Sequence, residues 1–441
     1  MRDQAGAAYC VRVSEFQPAV KLEPTEFRSF DPWLTSDRRF LSVLAENVAG
    51  RYEELVPRKR AMKAQDRDNV EMILKALLAN IAFGVATGND RPNVLVSLRA
   101  PKRKLSRYDR RGFALLPRIL EVLSSQGALI ELRKSNQRGI ASSISPSASL
   151  VSDIKRFRWR PEHFSWEPGT ETIRLSITHR NFATRTKTVE LIDYTDTAET
   201  RVFREQMALI NASLRNSKIS FVDDGGPPVL TTHRDLVRHF KALDAAEQRF
   251  DLNGRLFGGW WQELPSSRRS AIRIRGERVA DLDFASAFLR LAYCEAGAKA
   301  PEGDLYSRIP VVNAELYREG LKQIISAMLF RESPLIRIPS ELKDSLPRDA
   351  TGATIREAVF AAYPELGGIF ERGAGLRLMF RESQILVRAL LKLAEMGTCG
   401  LGMHDGIMVP RSQIEAAKAA MTEASEEVLG VRLPIILKAL H

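Results

Sequence analysis

The stretch LGMHDGIMVP, residues 401–410, places a histidine and a carboxylate between two short apolar runs. The pattern predicts a β-hairpin with Leu401–Met403 and Ile407–Pro410 as its arms and with His404 and Asp405 at the bend. Because Asp-Gly makes good turns, turn formation alone could explain an isolated pair of this kind. A second carboxylate in a suitable setting would instead indicate a metal site.

Asp283 is that second carboxylate. It follows two predicted strands, Ala271–Arg275 and Arg278–Leu282, and stands at the end of the second. Together with Asp405 it could hold two Mg²⁺ or Mn²⁺ ions about 4 Å apart, an arrangement that suits phosphoryl transfer. One ion would activate a hydroxyl and the other would stabilise a leaving pyrophosphate. Asp283 could also be a simple turn residue, and Asp281 competes with it as the ligand.

Composition narrows the class of partner. The chain has 441 residues, enough for two or three domains, a formal net charge of +12 and a pI near 9.7. Such an excess of positive charge favours nucleic acid first and anionic membrane second. The three cysteines are too scattered for a disulfide framework or a zinc site. We find no apolar run of membrane-spanning length and no signal-peptide core, so we expect a cytoplasmic protein that binds no membrane.

The elements that position these residues fall into four predicted regions. Residues 1–60 have little periodicity and are predicted to form an extended N-terminal arm. Residues 61–155 are predicted to be a mostly helical, basic domain. Residues 156–230 combine strand-like runs with one helix, Thr200–Arg215, and end in the Gly- and Pro-rich break at 223–228. Residues 231–441 contain both aspartates, and the predicted fold class is α+β.

The basic domain has an order of elements that resembles a winged helix-turn-helix. One helical face is Val70, Ile73, Leu74, Leu77, Leu78, Ile81 and Ala82, and a second helix is expected at 112–126, followed by strand, basic turn and strand. The resemblance implies that the second helix enters a DNA groove. Basic residues before and after it would then reach phosphates: Lys102, Arg103, Lys104, Arg133, Lys134 and Arg138. A solvated basic face on a small helical domain explains the pattern equally well.

Residues 250–441 resemble the family A nucleotide polymerases, most of all their compact phage-related members. DLDFASAFLR is similar to the first palm motif of the family and matches it at Asp283, Phe284 and Arg290. The HDG of the hairpin is similar to the third palm motif and matches it at His404 and Asp405. The motifs occur in the order that the family has.

Two further motifs support the resemblance. YREGLK is similar to the fingers-helix motif whose Arg and Lys grip the incoming triphosphate, and here those residues are Arg318 and Lys322, one helical turn apart. GRLF and WWQELP are similar to elements upstream of the first motif and supply Arg255 and Gln262. A pair of basic residues on a helix is otherwise most often a solvated face.

The resemblance implies a palm of antiparallel sheet, helical fingers between residues 300 and 380, and a thumb-like role for 156–230. It implies a template-directed nucleotidyltransferase, a DNA polymerase above all, that extends a primer 3′ end on DNA with nucleoside triphosphates. Asp283 and Asp405 would bind both metal ions, while Arg255, Gln262, Arg290 and His404 would contact DNA. Phe288 would line the sugar pocket and exclude a 2′-hydroxyl.

The chain departs from the family at three positions. DNA-making members usually have an acidic residue at the position of Gly406, often have Glu at the position of Phe288, and have an aromatic residue at the position of Ser326. Two other functions therefore stay open. One is a non-catalytic DNA-binding accessory protein of replication or of a mobile element, with a degenerate palm. The other is an RNA-making, primase-like polymerase.

Overall fold

The computed structural model describes most of the chain as two compact units. The described residues are 27–36, 38–56, 62–98, 105–125, 129–135, 141–167, 170–181, 186–227, 229–311 and 315–441. The N-terminal unit comprises the described residues of Ala19–Glu171 and Gly225–Asp235. The C-terminal unit comprises those of Thr172–Asp224 and Leu236–His441.

Helices of the N-terminal unit pack around its core. They are α1 (Arg39–Leu55), α2 (Ala64–Ala86), α3 (Leu116–Ser125) and α4 (Ala148–Lys155). Every apolar residue predicted for the first helical face, from Val70 to Ala82, is buried, which confirms that face. The prediction of an extended arm is wrong over α1, whose buried residues Leu41, Leu44, Ala45, Val48 and Tyr52 have helical spacing.

The strands of this unit are short. They are β1 (Phe27–Ser29), β2 (Leu34–Ser36), β3 (Asn93–Val96), β4 (Ile130–Arg133), β5 (Ser142–Pro146) and β6 (Phe164–Trp166). Four of them form a sheet in the order β1-β3-β5-β4, and β2 pairs with β6. The predicted helix and the two strands after it are confirmed by α3 and the antiparallel pair β4–β5, while residues 136–140 of the predicted turn lie outside the described residues. The winged-helix assignment stays a prediction.

Helix α2 bears on the expected absence of a membrane span. By length and composition it is apolar enough to cross a membrane, so the expectation that no run comes near that length is wrong. Within its most apolar window, however, 67% is buried inside the protein. A core helix of a soluble protein has these same properties.

The C-terminal unit begins with a mixed sheet. Its strands β7 (Ile173–Asn181), β8 (Thr186–Leu191), β10 (Val237–Lys241) and β11 (Asn253–Phe257) take the order β11-β10-β7-β8, and helix α5 (Ala198–Asn216) confirms the predicted helix there. Strand β7 pairs in parallel with β10. The segment 156–230 is therefore not a separate connecting region, because this pairing joins its second part to the C-terminal unit.

A second, antiparallel sheet holds both aspartates. Its path is β14-β15-β13-β12-β9, and β16 also pairs with β13. The strands are β9 (Ile219–Phe221), β12 (Ile272–Ile274), β13 (Glu277–Phe284), β14 (Leu401–Met403), β15 (Gly406–Pro410) and β16 (Ile435–Leu440). The predicted hairpin at 401–410 is confirmed by β14 and β15, and the described strands of this sheet all pair antiparallel.

Helices cover and extend this second sheet. They are α6 (Ala287–Glu295), α7 (Arg318–Phe330), α8 (Gly352–Ala362), α9 (Gly375–Glu395) and α10 (Ile414–Leu429). The segment 300–380, for which helical fingers were expected, contains α7, α8 and the start of α9. The structure combines helices with several sheets, which is compatible with the predicted fold class α+β, while the polymerase palm stays a prediction.

Candidate active site

Strand pairing brings the two predicted aspartates together. Asp283, near the end of β13, lies opposite Gly406 at the start of β15, and Asp405 is the residue immediately before Gly406. His404 turns the chain between β14 and β15 with a φ of +28°, a value that side chains other than glycine rarely adopt. The hairpin therefore presents Asp405 beside the strand end that carries Asp283.

The electrostatics of the site agree with this arrangement of the two aspartates. Burial, followed by the charge of Asp405, raises the pKa of Asp283 to about 6. The charge of Asp405 also adds to the burial that raises the pKa values of Glu382 on α9 and of Tyr306. Groups from three separate segments therefore feel the hairpin carboxylate, as in a concentrated acidic site.

Lys438 is the cation closest to the metal-ligand candidates. Its Nζ lies 3.2 Å from Oδ2 of Asp283. The pairing of β16 with β13 shifts register between Asp281 and Leu282, so Lys438 is the extra residue of a β-bulge. Bulges re-aim side chains, and this one directs an ammonium group at Asp283.

Asp281, the competing ligand candidate, has a different partner. Its carboxylate is buried and lies 3.4 Å from the guanidinium of Arg269. Burial raises the pKa of Asp281, while Lys438 and Arg269 act in the opposite sense. This setting favours Asp283 as the ligand, because Asp283 pairs with Gly406 next to the hairpin bend, whereas Asp281 pairs with Met408 farther along β15.

The residues present fit a divalent cation. The charge of Asp405 disfavours ionisation of Asp283, and a Mg²⁺ ion between the two carboxylates would offset that repulsion. The backbone N–H of Phe284 donates to Oδ1 of Asp283 at 2.9 Å, which fixes that carboxylate. In the described part of the chain, no group of three or more His, Cys, Asp or Glu side chains could hold a metal. Any metal here therefore relies on Asp283 and Asp405, with the remaining ligands from backbone, water or substrate phosphates.

Glu382 and Arg255 form a buried ion pair next to the aspartates. The guanidinium of Arg255, on β11, lies 2.6 Å from Oε2 of Glu382, on α9, and covers the ring of Phe288 at 5.4 Å. Oε1 of Glu382 is buried and has no hydrogen-bond partner among the described residues. Burial raises the pKa of Glu382 to about 7 although Arg255 acts in the opposite sense.

Gln262 and His404 support the hairpin. The amide nitrogen of Gln262 donates to the carbonyl oxygens of Leu256, at 3.1 Å, and of Gly402, at 3.0 Å, which ties β11 to β14. Burial, and after it the charge of Arg255, lowers the pKa of His404 to about 4. The imidazole is therefore neutral at pH 7, while its predicted contact with DNA stays a prediction.

Arg290 is a positioning residue. It is 6% exposed, and its guanidinium donates to the carbonyl oxygens of Ala285, Pro301 and Gly303 at 2.9, 3.3 and 2.8 Å. These donors are used on the protein's own backbone, and the predicted contact of Arg290 with DNA stays a prediction. These bonds fix the loop that leads from α6 to Asp304.

The two basic residues of α7 differ in their partners. Arg318 forms two hydrogen bonds to Asp304, at 2.7 and 3.0 Å, and lies over the ring of Tyr306. Lys322, one turn later, is exposed, and within the described parts of the chain no ion pair of its ammonium group is present. The helix therefore presents one cation that is held by a carboxylate and one that is available to a ligand.

The basic residues predicted to contact DNA in the N-terminal unit are only partly described. Arg133 pairs with Glu131 at 2.9 Å, and Lys134 pairs with Glu121 on α3 at 2.5 Å. Exposed pairs of this kind contribute little to stability and exchange readily for other partners. Lys102, Arg103, Lys104 and Arg138 lie outside the described residues.

Sequence reasoning missed four residues that shape this site: Lys438, Glu382 as the partner of Arg255, Asp304 and Arg238. Arg238 is completely buried, and it donates to Ser383 and Gln384 on α9 and to the carbonyl of Gly254. Burial lowers its pKa to about 9. No motif in the sequence analysis indicates these roles, because each depends on a contact with another segment of the chain.

Comparison with known proteins adds no relative. Neither the family models nor the curated proteins that were searched contain a match to this chain.

Proposed function

We propose that the C-terminal unit is a template-directed nucleotidyltransferase, a DNA polymerase that adds nucleotides to a primer 3′ end. The observation that carries the proposal is the pairing of β13 with β15, which sets Asp283 beside the Asp405 hairpin. In this arrangement burial, and after it the charge of Asp405, raises the pKa of Asp283 to about 6. Structural ion pairs normally lower the pKa of a carboxyl, whereas sites built for cations concentrate negative charge.

Asp283 and Asp405 would hold two Mg²⁺ or Mn²⁺ ions together with the substrate phosphates. When bound, such ions supply an activated primer hydroxyl and charge stabilisation for the departing pyrophosphate. Asp283 is fixed for this role by the backbone N–H of Phe284, and Asp405 by the hairpin. His404 serves the hairpin and transfers no proton, since burial holds its pKa near 4.

The triphosphate would bind along α7. Lys322 is exposed, and Arg318 lies one turn before it. Asp304 lowers the freedom of Arg318 and keeps its guanidinium on the Tyr306 ring. A triphosphate would compete with Asp304 for Arg318, because charge-assisted bonds to phosphate are at least as strong as those to a carboxylate.

Phe288 would select the sugar. Its ring lies under Arg255 at 5.4 Å and beside Phe330 at 6.0 Å, so it is held from two sides. A rigid aromatic group at a sugar pocket excludes a 2′-hydroxyl and so favours deoxynucleotides over ribonucleotides. This argument favours a DNA polymerase over a primase-like enzyme that makes RNA.

One observation favours the alternative of a non-catalytic DNA-binding protein. The ammonium group of Lys438 already neutralises Asp283, as a cation could in a site that no longer binds metal. Primer extension separates the two functions. With Mg²⁺ or Mn²⁺ and each nucleotide type in turn, the polymerase incorporates deoxynucleotides, whereas the accessory protein binds primer-template and leaves it unextended.

A further inference from the structure

The N-terminal unit contains a basic cavity that lies outside every residue assigned above. Its volume is about 420 Å³, and it opens between the start of α1 and the segment that follows α4. Four arginines line it: Arg38, Arg156, Arg158 and Arg160. No carboxylate is among the lining residues that the structure describes. A site with this charge selects an anion.

Two aromatic rings form one wall of the cavity. Phe40 and Phe157 are stacked, with ring centroids 4.6 Å apart and planes 25° from parallel. Phe40 is 41% exposed, so part of its ring is open to solvent. Behind them, the buried Trp159 packs against Phe157 edge to face. The column therefore ends in an open aromatic face on which another planar ring can stack.

Among the described residues, Arg156 and Arg160 have weak carboxylate partners, and no ion pair of Arg38 or Arg158 is present. Arg156 lies 3.4 Å from Asp153 and Arg160 lies 3.7 Å from Glu162, and all four of these side chains are largely exposed. Exposed pairs of this kind are worth about 0–1 kcal/mol and yield to a better acceptor. Arg158 has a φ of +44°, so the turn that gathers these arginines is held in a conformation that most residues avoid.

His163 also lines the cavity and contacts two of its arginines. Its Nδ1 accepts a hydrogen bond from the backbone N–H of Arg160 at 3.0 Å, and its Nε2 lies 2.6 Å from the guanidinium of Arg38. These contacts hold the imidazole beside Arg38 and next to the turn that carries Arg160.

We propose that this cavity binds one nucleotide unit, with the base stacked on Phe40 and the phosphate held by the arginines. The cavity volume lies in the range of small-ligand sites, about 300–1,000 Å³. Arginine and an aromatic platform are together the recognition chemistry of unpaired nucleotides. The nucleotide can come from a single strand or from the free pool, and the inference does not depend on polymerase activity in the C-terminal unit.

Binding of labelled oligothymidine to the full-length protein tests the phosphate contacts. The strand should be short, about eight nucleotides, the size that a single-strand site covers. In the variant Arg156→Ala/Arg158→Ala, the slope of log affinity against log salt concentration should be shallower by about 1.4. Each phosphate contact with a single strand contributes about 0.7 to this slope. The matched control is Arg67→Ala/Arg91→Ala, which removes equal charge from exposed residues of the same unit. Equal slopes for the two double variants would overturn the proposal.

An abasic oligonucleotide of the same length tests the base stack without any change to the protein. It should bind the wild type about tenfold more weakly, because stacking of a base on an aromatic side chain is worth about that factor. Phe40→Ala should bind oligothymidine about tenfold more weakly than the wild type does, and it should bind the abasic strand as the wild type does. Phe40→Tyr should restore the affinity for oligothymidine. Circular dichroism shows whether each variant is folded. Equal affinity of the wild type for both strands would overturn the role of Phe40.

Photo-crosslinking identifies the source of the nucleotide. A strand with 5-iodouracil should crosslink to the wild type at Phe40 or within residues 156–163, as mapped by mass spectrometry. Displacement of this crosslink by free thymidine triphosphate would support a mononucleotide ligand, and its persistence would support a strand. Displacement by inorganic phosphate as effective as that by the triphosphate would overturn the proposal, since phosphate alone would then explain binding. Crosslinks confined to other segments would overturn it as well.

Discussion

Gly406 lies directly opposite Asp283 where β15 pairs with β13. A Cβ atom on residue 406 would stand 2.6 Å from the carbonyl oxygen of Leu282, closer than real side chains approach backbone. The hairpin can therefore lie this close to Asp283 only because residue 406 is glycine. The acidic residue that DNA-making members of the resembled family have at this position does not fit here without a shift of the backbone.

Any side chain at Gly406 should consequently damage the site. Gly406→Ala is expected to lower the free energy of unfolding by about 1–3 kcal/mol, the usual cost of overpacking. Gly406→Glu, which restores the family's acidic residue, should reduce nucleotide incorporation further. Urea unfolding and primer extension measure the two effects. Gly368→Ala is the matched control, because a Cβ there meets nothing within 4 Å. A Gly406→Glu variant with raised activity would contradict this account of the hairpin.

Lys438 should compete with metal at Asp283. Lys438→Met removes the ammonium group and keeps the length of the side chain, so the affinity of the nucleotide-free protein for Mg²⁺ should rise about threefold to tenfold through lost charge repulsion. Isothermal titration calorimetry measures this affinity without any turnover. Lys418→Met removes a lysine that pairs with Glu415 on the surface of α10, and it should leave the Mg²⁺ affinity unchanged. An unchanged or lower Mg²⁺ affinity in Lys438→Met would show that the ammonium group of Lys438 and the Mg²⁺ ion do not compete for Asp283.

Glu382 should make stability depend on pH. Burial raises its pKa to about 7 in the fold, above the ordinary value of 4.5, so its contribution to stability is complete at low pH and is lost as the pH rises through 7. The glutamine side chain in Glu382→Gln cannot ionise. The free energy of unfolding of this variant, relative to that of the wild type, should therefore increase by up to about 3 kcal/mol between pH 5 and pH 8. Urea unfolding of the metal-free proteins at both pH values measures this. A constant difference would mean that Glu382 stays ionised beside Arg255.

Lys322 should affect binding of the nucleotide more than chemistry. Lys322→Ala removes a charged contact to phosphate, which is worth about 10- to 100-fold in affinity. The KM for the deoxynucleotide should rise by that factor in steady-state primer extension, while kcat changes less. Lys299→Ala removes another exposed lysine of the same unit and serves as the control. An unaltered KM in Lys322→Ala would assign Arg318 and Lys322 to a solvated helix face.

Local patterns in the sequence were sufficient to predict the hairpin and its neighbouring strands. Apolar runs separated by His404-Asp405-Gly406 specify β14 and β15, and the turn at Arg275–Arg278 specifies β12 and β13. Such patterns extend over a few residues, so they are visible without tertiary contacts. The same logic predicted α5 and the buried face of α2.

Contacts between distant segments could not be predicted in this way. Lys438 reaches Asp283 across 155 positions through a bulge in β16, which has no local signal. Arg290 has the spacing of a family motif, yet its donors close a loop, because a buried guanidinium takes the nearest carbonyl oxygens. Helix α1 lies within the predicted arm, and its apolar residues form a buried face through contacts with α2.

Single-turnover primer extension by the wild type and by Asp405→Asn tests the central claim, nucleotidyl transfer at Asp283 and Asp405, most directly. Asn keeps the size and turn preference of Asp405 and removes its charge. We expect the wild type to extend the primer with Mg²⁺ or Mn²⁺, and Asp405→Asn and Asp283→Asn each to lose several orders of magnitude in rate while still binding primer-template. The double variant should be little slower than either single variant, because residues that act as a unit are not additive. Near-wild-type extension by Asp405→Asn, or no extension by the wild type with any nucleotide, would contradict the proposed function.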